Sequence, residues 1–226
     1  PARPPSPVSP QPSKPTPPPL DERGTLVYDF SARNQLNDFS MESGSWEIQD
    51  GTLVGLGRNQ INIRLKKRLE GSFRVTWDQT VEEAKELGKL GPKDEVHAGI
   101  WLGDEGAGGD HYWAVAWVHG NPPGANNFEN AFDIHAKGLM QPGRSGFGTV
   151  THGPTRVRGK ALQLGQTYQF QLDVDYEQGT TKVRLNGEGW KLENGRAFEI
   201  QPHYLHLRAQ KCRVKFDNLR IAMKAP

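Results

Sequence analysis

Between Tyr168 and Gly187 the chain has very few folds open to it. Tyr168, Phe170, Leu172, Val174 and Tyr176 alternate with Gln169, Gln171, Asp173 and Asp175. A period of two places five apolar side chains on one face of a strand and leaves the other face to water. A turn over Glu177, Gln178, Gly179 and Thr180 leads into a return strand carrying Val183 and Leu185. Asn186-Gly187 follows, the pair that most readily takes positive φ at both centres of a tight hairpin turn. A hairpin with one dry face is not stable alone and needs a second layer over it.

The rest of the chain supplies strands for that layer. Thr25–Phe30 reads as a short opening strand. Trp46 and Ile48 enter a second hairpin at Asp50-Gly51, and Leu53 leaves it. Ile61, Ile63 and Leu65 alternate with Asn62 and Arg64, and Phe73, Val75 and Trp77 with Arg74, Thr76 and Asp78. Both strands are expected to have one wet face. Toward the end, Leu205 and Leu207 mark one strand. Val214, Phe216, Leu219 and Ile221 mark another, with a bulge expected near Asp217-Asn218. Val81–Gly91 carries the one helix-like pattern and reads as a surface insertion. Strands in Met140–Gly165, rich in glycine, are not defined by the pattern. The expected class is all-β, an antiparallel sandwich.

The N-terminal end differs. Ten of the residues from Pro1 to Pro19 are proline, which fixes φ and removes backbone donors. Residues 1–23 therefore read as a disordered Pro-rich linker and residues 24–226 as one domain. Such spacers join modules, and the chain opens without Met or a signal peptide. The expectation is a piece of a larger multidomain chain.

Charge and motifs narrow the function. The 226 residues carry a net charge of +2 with scattered basic groups, so no phosphate-tracking stripe points to nucleic acid. No apolar run approaches the ~20 residues of a membrane helix. The lone Cys212 permits no internal disulfide and leaves the compartment open. Nucleophile elbows, phosphate-binding loops and dinucleotide glycines are missing.

The chemically rich stretch is 96–135. His97, Gly99 and Trp101 share one face of a strand by alternation, and His111, Trp113, Val115, Trp117 and His119 share one face of the next. Indole faces suit the C–H edges of a pyranose ring, and neighbouring polar groups can bond its hydroxyls. Trp101, Trp113 and Trp117 are the stacking candidates, with His97, His119, Asp133 and His135 for polar contacts. With Glu129, the histidines and Asp133 are also material for a metal or acid/base cluster, though no zinc-type spacing is present. Asp104, Glu105 and Asp110, in a glycine-rich loop, offer hard oxygen ligands of the kind calcium takes.

The runs GSWEIQDGTLVG, HAGIWLG, GQTYQFQLDVDYEQGTTKVRLNGEGW and YLHLRAQKCRVKFDNLRI resemble the concanavalin A-like lectin/glucanase superfamily. Within it the chain is similar to 3-keto-disaccharide hydrolase-like domains of bacterial extracytoplasmic proteins. Their opening hairpin matches Trp46-x-Ile48-x-Asp50-Gly51-x-Leu53, and their closing strand matches Phe216-Asp217-Asn218-Leu219-Arg220-Ile221. The resemblance spans about 24–224 and implies a jelly-roll sandwich with a groove on a curved sheet. It further implies an extracytoplasmic location and a carbohydrate partner. The paired carboxylates of the glucanase branch are missing, since Glu129 and Asp133 lie four apart. A non-catalytic carbohydrate-binding or sensor module is thus the first reading. A glycoside hydrolase or lyase using Asp133 or Glu129 with His135 is the second, and a protein-interaction module the third.

Overall fold

The computed structural model describes residues 24–82, 84–88, 96–103, 113–120, 131–136, 156–161, 164–175, 177–178, 180–193 and 204–223. Fifteen strands follow one another among these residues. They are β1 (Leu26–Tyr28), β2 (Phe39–Ser43), β3 (Ser45–Gln49), β4 (Thr52–Gly57), β5 (Ile61–Leu65), β6 (Phe73–Glu82), β7 (Val96–Gly103) and β8 (Trp113–Gly120). After these come β9 (Ala131–Ala136), β10 (Arg156–Ala161), β11 (Thr167–Asp175), β12 (Thr180–Leu185), β13 (Glu188–Glu193), β14 (Tyr204–Gln210) and β15 (Cys212–Met223).

They form two sheets, and every pairing is antiparallel. The eight-stranded sheet runs β13-β12-β11-β6-β15-β4-β3, with β1 also on β15. The seven-stranded sheet runs β10-β9-β8-β7-β14-β5-β2. This is a jelly-roll β-sandwich, and its core is the apolar face of each sheet laid on the other. From the eight-stranded sheet come Phe73, Val75, Trp77, Phe170, Leu172 and Val174, each no more than 1% exposed. From the other come Ile61, Ile63, Leu65, Ala98, Ile100, Leu102, Leu205, Leu207 and Ala209. A fully buried side chain of the Leu, Val or Phe kind contributes about 1.5–3 kcal/mol, so these rows outweigh any single polar contact. Trp77 and Phe170, partners across β6 and β11, stack with centroids 5.1 Å apart.

Two turns show why sequence reached this far. Asp50 and Gly51 have φ of 49° and 77°, and Asn186 and Gly187 have 47° and 87°. Both pairs therefore adopt the doubly positive conformation that matches strand twist. Asn186 Oδ1 also accepts the Gln169 N–H at 2.9 Å. The expected bulge is present: the β15/β6 register slips between Asp217 and Arg220, and Asn218 has φ of 50°. Cys212 is buried in its strand, its Sγ donating to the His97 carbonyl at 3.4 Å.

Two expectations need correction. The helix expected over Val81–Gly91 does not form as such. Val81 and Glu82 continue β6 opposite Val214 and Arg213, and among the described residues of this stretch only Lys85–Leu87 winds, as one 3-10 turn. A single short helix has little stability of its own, and strand pairing with a buried Val81 wins. Second, Asn62 and Arg64 do not face water: they are 2% and 8% exposed. The alternation in β5 is real, but its polar face is covered.

Residues 1–23 lie outside the described residues. Among the described residues no helix is long and apolar enough to cross a membrane.

Candidate functional site

That covered polar face is the outer side of the seven-stranded sheet, turned away from the core. In β14, Leu205, Leu207 and Ala209 enter the core, so Tyr204, His206 and Arg208 point outward. In β7, Ala98, Ile100 and Leu102 enter the core and Trp101 points outward. In β5 the outward residues are Asn62 and Arg64. Yet Tyr204, His206, Arg208, Trp101, Asn62 and Arg64 are all buried. An outer sheet face made of buried arginine, histidine and aromatic rings differs from the solvated polar face that usually backs a sandwich.

Glu42 is the hub of this layer. The β2/β5 register slips between Met41 and Ser43, so Glu42 is the extra residue of a bulge. Bulges re-aim side chains, and this one delivers a carboxylate onto the buried face. Arg64 Nε donates to Glu42 Oε1 at 2.7 Å, and His206 Nδ1 lies 3.3 Å from Glu42 Oε2. The second approach is an ion-pair distance without hydrogen-bond geometry. The Arg64 guanidinium carbon sits 4.3 Å from the Tyr204 ring centroid, and Arg68 Nε donates to Tyr204 Oη at 2.8 Å. Arg68 is exposed, so this end of the layer reaches solvent.

Arg208 is held differently. Its guanidinium carbon is 3.7 Å from the Trp101 ring centroid, a separation that fits stacking of two flat groups. The side chain is 4% exposed, and Nη1 is buried with no hydrogen-bond partner. Burial draws its pKa down from the ordinary arginine value to about 9. At neutral pH it is a cation in a desolvated site, and among the described residues no carboxylate lies within ion-pair distance of it.

Cross-strand register then relates the residues singled out by sequence to this layer. His135, Ala114, Trp101, His206 and Arg64 form one row across β9, β8, β7, β14 and β5. Asp133, Trp117, Gly99, Arg208 and Asn62 form the next. His119 pairs with His97, and His97 with Gln210. Trp113 stands opposite Leu102, a core residue. The register slips between Ile100 and Trp101, so the unbroken alternation expected from His111 to His119 is interrupted, and Trp113 and Trp117 do not hold equivalent positions.

His111, Glu129, Asp104, Glu105 and Asp110 lie outside the described residues. Among the described residues no three or more His, Cys, Asp or Glu are grouped to hold a metal. Sequence reasoning passed over Glu42, Arg64, Tyr204, His206 and Arg208. Their signal was two neighbouring strands, INIRL and YLHLRAQ, whose polar positions carry arginine and histidine rather than the small polar residues of a plain wet face.

No family model and no curated protein sequence matches this chain. Solved structures do. A structure from work on endo-acting O-glycanases of human gut microbiota that initiate mucin breakdown superposes with TM-score 0.61, covering 88% of this chain and 99% of that one at 11% identity. The Crh5 transglycosylase in complex with NAG gives TM-score 0.59, 89% and 85% coverage and 11% identity. The carbohydrate recognition domain of Emp47p gives 0.56, 91% and 97%, again at 11% identity. What they share with this chain is the fold. It is a jelly-roll β-sandwich.

Proposed function

We propose that this chain is a carbohydrate-binding module that takes its sugar on the outer face of the seven-stranded sheet. The observation that carries this reading is the buried layer of Trp101, Tyr204, Arg64 and Arg208 on a face that the core does not use. Aromatic rings beside fixed hydrogen-bonding groups are the composition of a sugar site. Structural neighbours of the same fold, bearing carbohydrate recognition and glycan-processing names, support the same choice. By register the Trp117 position shares the row of Arg208, and we assign His97, His119, Asp133 and His135 to the site as further polar groups. The module belongs to a larger extracytoplasmic protein, with residues 1–23 as the spacer.

A second reading is catalytic, a glycoside-processing enzyme of the kind that the similarity to 3-keto-disaccharide hydrolase-like domains implies. Glu42 beside His206, with Tyr204 and Arg64 in the same layer, is acid/base material in a desolvated setting.

The test is a broad glycan array probed with the full chain and with Trp117→Ala, both first shown folded by circular dichroism. Selective binding that falls at least about tenfold in the variant is the expected result. Release of reducing ends from the bound glycan, abolished by Glu42→Gln, would move the assignment to the enzyme. Absence of binding to every glycan removes the sugar from this chain and favours a protein partner.

A further inference from the structure

Among the described residues, the buried layer is short of one anion. Arg64 and Arg208 are buried guanidiniums, and the carboxylate found against the layer among the described side chains, Glu42, is engaged at 2.7 Å by Arg64 and faced at 3.3 Å by His206. Arg208 has the Trp101 ring against it, and among the described residues Nη1 has no acceptor. A π face stabilises a cation but offers it no hydrogen-bond acceptor in the guanidinium plane. Leaving such a group desolvated and unpaired is unfavourable, and a bound anion removes that deficit.

We propose that the sugar bound by this chain is acidic, and that Arg208, stacked on Trp101, is the group that pairs with its carboxylate. The proposal rests on the sugar-binding reading given above. Stacking fixes the guanidinium plane and presents its edge, and a planar carboxylate meets that fork with two parallel hydrogen bonds. Trp101 then has two roles at once, holding the arginine flat and shielding the pair from water. Gly99 stands beside Arg208 in the cross-strand row and contributes no side chain between the Arg208 and Trp117 positions. A pyranose at the Trp117 position can thus extend its carboxylate toward Arg208 with no side chain of β7 in between. Tyr204 and exposed Arg68 mark where the layer meets solvent, two strand positions beyond His206 and four beyond Arg208.

The test compares matched ligands on the unmodified full chain by calorimetry. The probes are oligogalacturonate and sialyllactose, each beside its carboxyl-reduced neutral counterpart, with a sulfated dextran oligosaccharide as a third anion. The expected result is binding of at least one carboxylated sugar and a loss of about tenfold or more on carboxyl reduction. Arg208→Lys, which keeps charge but not the fork, is expected to weaken the carboxylated ligand about tenfold, and Arg208→Gln to erase the preference over the neutral sugar. Equal binding of acidic and neutral forms overturns the role of Arg208 and leaves the sugar-binding reading intact. Binding of the sulfated ligand alone overturns the carboxylate assignment. Binding of no sugar overturns both. Because the decisive comparison uses the native chain, a variant that fails to fold does not blunt it.

Discussion

Gly55 shows how one missing side chain fixes the first hairpin. It pairs with Trp46 across β3 and β4, and a Cβ built at Gly55 would stand 2.4 Å from Trp46 Cζ3 and 2.7 Å from Cη2. The ring is 3% exposed, its Nε1 donates to the Ser43 carbonyl at 3.2 Å, and it lies near Phe216. It is rigid and cannot yield. Gly55→Ala is therefore expected to destabilise the fold by about 1–3 kcal/mol, the usual size of overpacking a filled core. Denaturant unfolding followed by fluorescence measures it, and a midpoint unchanged from the parent would show that the hairpin can shift as a unit. The same residue-level logic separates what sequence could show from what it could not. Apolar alternation named Trp46, Ile63 and Phe170 as core without difficulty. It could not say that Asn62, Arg64, His206 and Arg208 are buried too, because a period of two assigns residues to faces but not what covers a face.

Strands add constraints of their own. Asp217 of β15 stands directly opposite Asp78 of β6, two carboxylates paired across a ladder. Burial first, then the charges of Asp78 and Asp29, hold the Asp217 carboxyl above the ordinary value, only partly offset by the Asn218 N–H it accepts. With the folded pKa raised, the ionised form costs stability. The cost is full at neutral pH and vanishes once pH falls below the carboxylate range. Asp217→Asn keeps an acceptor for the Asn218 N–H and removes the repulsion, so it is expected to raise stability by about 0.5 kcal/mol at pH 7. Parent and variant should converge as pH falls through that range. Thermal melts of both proteins at several pH values check this, and a gain that persists unchanged at low pH would assign it to something other than charge. Bulges explain most of what escaped at this scale. The one near Asp217-Asn218 was legible from its residues. The slip that delivers Glu42 and the slip in β8 between Trp113 and Trp117 were not, because an inserted residue in a run of alternating character leaves no mark in the pattern it displaces.

For the molecule as a whole, the consequence of two packed sheets is a division of labour between faces. Among the described side chains, the inner faces are apolar almost throughout, the outer face of the eight-stranded sheet is mostly polar and half-buried to exposed, and the outer face of the seven-stranded sheet holds the buried arginine layer. Gln79 is the exception inside. It belongs to β6, is 2% exposed, accepts from Trp77 Nε1 at 3.1 Å and donates to the Ala98 carbonyl of β7 at 3.2 Å. One amide therefore ties one sheet to the other through the core, and it does so at β7, the strand that carries Trp101 on its opposite face. Gln79→Leu preserves volume closely but strips the indole N–H of its acceptor, and a buried donor left unpaired costs about 1–3 kcal/mol. The expected outcome is a loss of about 2 kcal/mol with a single unfolding transition, coincident by far-UV circular dichroism and by tryptophan fluorescence, because neither sheet retains a core when the other leaves. Gln79→Glu, which keeps the acceptor for Trp77 but loses the donor to Ala98 and buries a charge, should cost more. Two separated transitions in the leucine variant would mean that the bridge, rather than the shared apolar surface, is what makes the sheets unfold together.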